Sequence, residues 1–253
     1  MLFPDRRRVL YGDNPLVDVI CRISFSRILA IDSDLPVDFQ SALVGDYPLL
    51  DTTSFRRAPT DAEPEPGRGL IYEFQSANKE VTIALSPDFL AIRASKYQRW
   101  EAFREHIVTA LRTLLQVYKI SLFTRVSLNY VNVIDKDALG LKDAHWAELI
   151  RASLIGPFAE GEVDDDKVEE AYARWSMRLD KGFLEVITGL VIKPETDNVC
   201  FLIDNTFSRE ESLEADEHKS LAVLDGFNVE SGRVFRWCIE DRLHEILRPT
   251  ALG

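Results

Sequence analysis

The sequence has few of the residues on which metal sites, disulfide frameworks and membrane spans depend. Its 253 residues include four histidines and three cysteines, Cys21, Cys200 and Cys238. An odd number of widely spaced cysteines is typical of reduced thiols. No run approaches the roughly 18 consecutive apolar residues of a membrane helix. The basic residues near the amino terminus are not followed by the apolar segment of a secretory signal. We therefore expect a cytoplasmic protein that does not associate with a membrane.

The short motifs of common catalytic and nucleotide-binding sites are also missing. The sequence contains no G-x-S-x-G elbow, P-loop, G-x-G-x-x-G or H-E-x-x-H motif. No histidine lies three or four residues from another histidine or a cysteine, which is the local spacing of many zinc sites. The sequence thus predicts no catalytic residue, no metal site and no cofactor, and favours a protein that is not an enzyme.

The composition is that of an ordinary globular protein with an uneven charge. The apolar fraction of 46% is enough to form a core, and the net charge is −12. Residues 1–126 carry 16 Lys and Arg against 16 Asp and Glu, whereas residues 127–253 carry 14 against 26. Because nucleic-acid affinity depends on neutralising phosphates, the acidic second half argues against a nucleic-acid partner. It favours a protein partner with a basic surface.

Hydrophobic periodicity predicts the same order of elements in both halves of the chain. The first half reads as a strand over 16–25, a short helix over 36–47, a loop over 48–69, strands over 70–77, 81–85 and 89–94, and a long amphipathic helix over 98–118. The second half reads as a strand over 122–134, a short helix over 144–155, an acidic loop over 158–170, strands over 172–179, 183–192 and 199–206, and a long final helix with a break at Gly226 or Gly232.

This order predicts an α+β fold made of two pseudo-repeated β-α-β-β-β-α units, residues 1–121 and 122–253. We expect one continuous domain, with one curved antiparallel sheet and the two long helices packed on one of its faces. The layout resembles the duplicated saddle of the TATA-binding-protein type, although a shared fold does not carry function. A helix-grip fold, in which one sheet wraps around one long helix, is the alternative.

Two groups of polar residues are candidate binding sites. Arg125, Asn129 and Asn132, together with Ser127, interrupt a strand that is otherwise apolar. Asparagine is depleted in strands, so these side chains either satisfy backbone groups at a bulge or contact a ligand or partner. The second group is the acidic loop, where Asp164, Asp165 and Asp166 follow Glu160 and Glu162. This loop lacks the ligand order of an EF-hand, which favours a solvated loop that contacts a basic partner.

Three segments of the chain resemble one known family. They are residues 11–20 leading into Phe25, Pro36 with Phe39 and Gln40, and residues 126–132, and they are followed by a closing helix with Leu224, Asp225, Phe235, Ile239 and Leu243. Together they resemble, over the full length, a family of sporadically distributed, uncharacterised bacterial proteins. Asn228 stands where that family often has His, and Glu240 where it often has Thr. The resemblance implies an accessory gene, often near defence genes, and no known activity.

Three hypotheses follow for the function. The first is a non-enzymatic binding or scaffold protein, an accessory component of a bacterial defence or toxin-neutralising system, whose acidic surface binds a basic protein partner. The second is a small-ligand-binding protein or enzyme with a cavity between the sheet and a long helix, lined by Arg125, Asn129 or Asn132. The third is nucleic-acid binding by Arg22, Arg93, Lys96 and Arg125 on one exposed sheet face. The sequence leaves a homodimer open.

Overall fold

The computed structural model describes residues 3–56, 68–160, 167–168 and 170–251. Its strands are β1 (Val9–Tyr11), β2 (Leu16–Phe25), β3 (Leu49–Arg56), β4 (Arg68–Gln75), β5 (Val81–Ser86), β6 (Phe89–Ala94), β7 (Leu122–Asp135), β8 (Glu170–Leu179), β9 (Gly182–Lys193), β10 (Asn198–Arg209), β11 (Leu213–Glu214) and β12 (Pro249–Ala251). Its helices are α1 (Leu29–Ser33), α2 (Val37–Leu43), α3 (Trp100–Val117), α4 (Trp146–Leu149), α5 (Ala152–Ile155), α6 (Glu217–Cys238) and α7 (Asp241–Ile246), with a 3-10 turn over Gly156–Phe158. The α+β class and the large antiparallel sheet are confirmed. Within the described ranges, no helix is both long and apolar enough to span a bilayer.

The chain forms two compact units that are discontinuous in sequence. Unit 1 comprises Met1–Asp18, Asn129–Phe207 and Asp225–Gly253, and unit 2 comprises Val19–Leu128 and Ser208–Leu224.

Unit 2 is built on antiparallel strands in the order β3-β4-β5-β6-β2. A tight turn joins β4 to β5, with Lys79 at a φ of 59°. Helix α3 packs against α2 and β6. Its buried stripe explains why it forms, because apolar residues recur every three or four positions. The stripe consists of Trp100, Phe103, Ile107, Ala110, Leu111 and Leu114.

Unit 1 contains β7 from Asn129 onward, followed in the sheet order by β10, β9 and β8, and it also contains the pair β1-β12. β8 and β9 are antiparallel along their whole length, from Glu170 opposite Val191 to Leu179 opposite Gly182. The core-facing residues of β9 and β10 alternate over much of each strand with partly buried ones, as expected for strands whose two faces differ in burial. The largest side chains of this core are Phe3, Trp146, Phe201, Phe207 and Phe235.

The structure corrects two predictions about individual elements. The predicted loop over 48–69 begins with strand β3, paired with β4 from Leu49 opposite Gln75 to Arg56 opposite Arg68. The Pro and Gly residues that follow this strand made the whole segment look irregular. The predicted break at Gly226 or Gly232 is also wrong, because α6 is helical from Glu217 to Cys238. Both glycines lie at open positions, where they lower helix propensity without ending the helix.

Candidate functional site

Asn129, a predicted contact residue on β7, uses its amide within unit 1. Its Nδ2 donates to Asp204 Oδ1 at 2.5 Å, to Thr206 Oγ1 at 2.9 Å and to the carbonyl oxygen of Asn205 at 3.2 Å. Burial raises the pKa of Asp204, the Asn129 amide opposes this shift, and the charge of Glu185 adds to it. Asn129 is therefore the donor that holds a partly buried carboxylate on β10.

Asn132, the second predicted amide, is buried and also binds β10. Its Nδ2 donates to the carbonyl oxygen of Ile203 at 3.2 Å. Alternation along β7 places Asn132 on the core side and Asn129 on the opposite face. The structure therefore does not bring the two amides together. Both amides donate to backbone carbonyl groups of β10, and Asn129 also donates to two side chains there. A role at a bulge and a contact with a ligand or partner both stay predictions.

Arg125 and Ser127 belong to unit 2. The Arg125 side chain is about half exposed, and its Nε lies 3.9 Å from Glu210 Oε1. The Ser127 hydroxyl donates to the carbonyl oxygen of Arg22 at 3.3 Å. Burial along β7 shifts by one residue between Phe123 and Val126, which is the pattern a β-bulge produces.

The predicted basic face in unit 2 is interrupted by carboxylates. The β2–β6 register places Arg93 opposite Ile20, so Arg22 and Arg93 share a sheet face. The Arg22 guanidinium lies 3.8 Å from the centre of the Phe89 ring. Burial lowers the pKa of Arg22, and Asp88 opposes this shift. Lys96 Nζ lies 2.8 Å from Glu80 Oε1. A surface on which Arg22, Lys96 and Arg125 each lie near a carboxylate is a poor match for a phosphate backbone.

The other predicted contacts, Asp164, Asp165 and Asp166, lie outside the described residues.

The interior of unit 1 contains buried polar side chains without hydrogen-bond partners. Thr188 and Asn205 are fully buried and Ser231 is 3% exposed. Among the residues that the structure describes, no partner is present for Thr188 Oγ1, for either amide atom of Asn205 or for Ser231 Oγ. Thr188 and Asn205 lie on the core-facing sides of the neighbouring strands β9 and β10, and Ser231 lies on the buried face of α6. Unpaired polar groups of this kind usually destabilise a fold or serve a ligand.

Unit 2 carries the strongest feature that the sequence did not predict, an exposed apolar segment over residues 28–54. Of the twelve large apolar side chains that are exposed in the described residues, six lie on α1, on α2, in the connections around these helices or at the start of β3. They are Leu29, Leu35, Val37, Val44, Leu49 and Leu50. Leu29 and Leu35 are 70% and 72% exposed, which is far above the exposure of core leucines. Exposed apolar side chains that cluster in this way mark binding sites more often than single ones do.

The same segment is acidic throughout. It contains five aspartates and no lysine, arginine or histidine, since the nearest basic residues in the sequence are Arg27 and Arg56. The aspartates are Asp32, Asp34, Asp38, Asp46 and Asp51, and all five residues are exposed. Asp32 forms an ion pair with Arg27, which directly precedes the segment, so the other four contribute most of its negative charge. We call residues 28–54 the acidic apolar surface.

The acidic apolar surface is held in place from beneath. Phe39 and Leu43 are buried on the inner side of α2, and the Phe39 ring packs against Phe74 at a centroid distance of 5.4 Å. At the end of this helical region, the Tyr47 hydroxyl lies 2.6 Å from Nδ1 of His106 on α3. Because its inner side is fixed, α2 presents its exposed side as a preformed contact.

The sequence contained part of this signal. The 16 basic and 16 acidic residues of positions 1–126 cancel over the whole half, which concealed 27 consecutive residues with a net charge of −5. The exposure of Leu29 and Leu35 has no sequence signal, because a leucine beside a short helix is usually buried.

The described part of the chain has no cluster of metal ligands, and its cysteines are buried. There, no group of three or more His, Cys, Asp or Glu side chains is arranged to hold a metal ion. All three cysteines are buried. Burial raises the pKa of Cys200 to about 11 and of Cys238 to about 12, and it also raises the pKa of Cys21. Thiols with raised pKa values are poor nucleophiles at neutral pH.

No family model, curated protein or solved structure matches the chain.

Proposed function

We propose that the protein is a non-enzymatic binding or scaffold protein whose acidic apolar surface binds a basic segment of a protein partner. The observation that carries this proposal is the coincidence of six exposed apolar side chains with five aspartates and no basic residue on one short stretch. The exposed side chains of α1, α2 and β3 support a contact in unit 2. A contact of the basic partner with the acidic loop of the second half stays a prediction.

The two properties of this surface have separate roles in binding. Apolar side chains contribute affinity because each Å² of apolar surface that binding removes from water contributes about 25 cal/mol of favourable free energy. The aspartates attract basic partners and disfavour acidic ones, which mainly affects association rate and specificity. A second copy of this chain is a poor partner for the acidic apolar surface, since contact between two identical surfaces would bring their aspartates together. An accessory role in a bacterial defence or toxin-neutralising system is part of the proposal.

The finer description of the fold also remains a proposal. We propose that the chain is a duplicated β-α-β-β-β-α unit with a long helix closing each half. The lengths of α3, at 18 residues, and α6, at 22 residues, support this duplication.

The test uses a defined probe rather than a captured protein. A fluorescent decapeptide made of lysine, arginine, valine and leucine is titrated with the purified protein, and binding is followed by anisotropy. The same peptide with glutamate in place of each basic residue is the charge control. We expect saturable binding of the basic peptide and at least tenfold weaker binding of the acidic one.

Paired variants locate the contact. The double variant Leu35→Ser and Val37→Ser removes two exposed side chains and should weaken binding of the basic peptide at least tenfold. Val229→Ser on α6 removes an exposed valine in the other unit, 42% exposed against 56% for Val37, and should leave binding unchanged. If the double variant and the parent protein bind the basic peptide with equal affinity, the acidic apolar surface is not the binding site. A concentration-dependent dimer that the double variant abolishes would instead identify a second copy as the occupant.

A small-ligand-binding protein is the second candidate, and the unpartnered Thr188, Asn205 and Ser231 favour it. In that case, native mass spectrometry of protein purified from its own host shows an added small mass. The variant Asn205→Leu should then lose that mass. A parent protein without added mass argues against this candidate.

A further inference from the structure

The acidic apolar surface includes an open sheet edge. Strand β3 is the last strand in the order β3-β4-β5-β6-β2, so one of its sides has no neighbouring strand among the described residues. An open edge offers backbone N–H and carbonyl groups to another chain. Proteins usually protect such edges with charged side chains, especially lysine, or with proline, a bulge or a very short strand. β3 has eight residues and contains no proline or lysine, and its charged residues are Asp51 and Arg56.

Both faces of β3 are also exposed. Residues 49–54 are exposed at every position, whereas on β4 both Tyr72 and Phe74 are buried. The β3–β4 pairing runs to Arg56 opposite Arg68, while the β4–β5 pairing starts at Tyr72. In the part of the chain that the structure describes, the outer part of β3 and β4 is therefore a two-stranded ribbon without a third strand. Such ribbons have little stability of their own and gain stability from another strand.

One hydrogen bond shows which backbone groups face the open side. The Thr52 N–H donates to Oδ1 of Asp51 at 2.7 Å. In an antiparallel pair, the N–H groups of alternate residues point toward the partner strand and away from it. An N–H that is bound to its neighbour's carboxylate points away from β4, and so should those of Leu50 and Ser54. Asp51 therefore occupies the place where a carbonyl group of an added strand would accept the Thr52 N–H.

We infer that the partner's basic segment binds as an added β-strand along the open edge of β3. This inference rests on the proposed function and specifies the conformation of the partner. A carbonyl group of the added strand accepts the Thr52 N–H, and a lysine or arginine of that strand pairs with the released Asp51 carboxylate. The alternation of a strand also fixes the sequence pattern of the partner. Basic side chains fall on the face of Asp51, and apolar side chains fall on the face of Leu50.

Charge argues against a second copy in this position. Two β3 strands paired in antiparallel register near their centres would bring the two Asp51 carboxylates close together. Like charges on facing strands are destabilising, whereas a lysine facing Asp51 is favourable.

The first experiment compares two peptides of identical composition. In one peptide, basic and apolar residues alternate with a period of two. In the other peptide, the apolar residues recur every three or four positions. This peptide has separate basic and apolar faces when it is helical and has none when it is extended. We expect the alternating peptide to bind at least tenfold more tightly.

The second experiment uses backbone N-methylation of the alternating peptide against the unmodified protein. In the bound peptide, the N–H groups of every second residue face β3. Methylation of these residues removes those donors, and we expect it to weaken binding at least tenfold. Methylation of the other set should change the dissociation constant less than threefold.

The outcomes separate the inference from the proposed function. If both methylated peptides bind equally, or if the helical arrangement binds more tightly, the added strand is wrong. The proposed function still holds in that case, provided that Leu35→Ser with Val37→Ser weakens binding. If no basic peptide binds at all, both are wrong.

Discussion

The Tyr47 hydroxyl lies 2.6 Å from Nδ1 of His106, and the two rings meet edge to face at a centroid distance of 6.0 Å. This contact joins the end of the α2 region to α3, so it fixes one side of the acidic apolar surface. A similar pair occurs in unit 1, where the Tyr11 hydroxyl lies 2.9 Å from Nδ1 of His244. Burial lowers the pKa of both histidines.

The lowered histidine pKa values predict a loss of stability in mild acid. The folded protein favours neutral His106 and His244, whereas the unfolded chain takes up their protons near pH 6.5. As the pH falls below about 6.5, the unfolded state binds more protons, so the free energy of unfolding decreases until the folded-state pKa is reached. We expect urea midpoints to drop between pH 7.5 and 5.5. The drop should be smaller in His106→Gln and smallest with His244→Gln added.

The exposed His218 provides the control for this experiment. His218→Gln should keep the pH dependence of the parent protein. If all the variants lose stability equally between the two pH values, other groups cause the loss, and the two tyrosine–histidine pairs have no part in it.

A pair of glycines predicts opposite effects of the same substitution in unit 1. A Cβ at Gly189 of β9 would lie 1.8 Å from the carbonyl oxygen of Ala171 on β8, which is rigid backbone. Gly189→Ala should therefore separate the two strands and lower the free energy of unfolding by about 1–3 kcal/mol or more. Gly226 on α6 has open space around it. Gly226→Ala should raise the free energy of unfolding by about 0.5–1 kcal/mol.

Urea unfolding of the two alanine variants measures both effects. A stable Gly189→Ala variant would contradict the close β8–β9 approach. A destabilised Gly226→Ala variant would mean that this part of α6 is packed against another group.

The comparison of β2 with β3 shows how much of the fold the sequence contains. The strand predicted over 16–25 is β2, because Val19, Cys21, Ile23 and Phe25 are buried and alternate with exposed residues. Strand β3 has no buried face over residues 49–54, so it lacks the alternation by which strands are recognised. Long-range pairing with β4 holds it extended, and that pairing is not visible in a local pattern.

The candidate site was predicted less well than the fold for a related reason. Asn129 and Asn132 stood out as polar residues in an apolar strand, and their hydrogen bonds to β10 account for this. The acidic apolar surface depends on which leucines and valines remain exposed. Exposure is decided by tertiary packing, so only the absence of basic residues between Arg27 and Arg56 was readable beforehand.

The unpartnered polar groups of unit 1 predict that apolar replacements are stabilising. Asn205→Leu and Thr188→Val keep the approximate shape of each side chain and remove donors and acceptors that have no partner. Removing such a group should raise the free energy of unfolding by about 1–3 kcal/mol. Asn132→Leu is the control, since it breaks a hydrogen bond to the carbonyl oxygen of Ile203 and should lower stability. A loss of stability in Asn205→Leu would show that Asn205 has a bound partner in solution, as the small-ligand candidate requires.

The salt dependence of peptide binding distinguishes the two acidic regions of the chain. Exposed charges are screened over about 10 Å at 0.1 M salt, so each aspartate near the bound peptide steepens the loss of affinity with salt. We expect Asp34→Asn combined with Asp38→Asn to weaken binding of the basic peptide at low salt and to flatten its salt dependence. Replacing Asp164, Asp165 and Asp166 by Ser removes more charge but lies outside the acidic apolar surface, so it should have the smaller effect. If the triple variant flattens the salt dependence and the double variant does not, the basic partner binds the acidic loop that the sequence analysis favoured, and the proposal for α1, α2 and β3 is wrong.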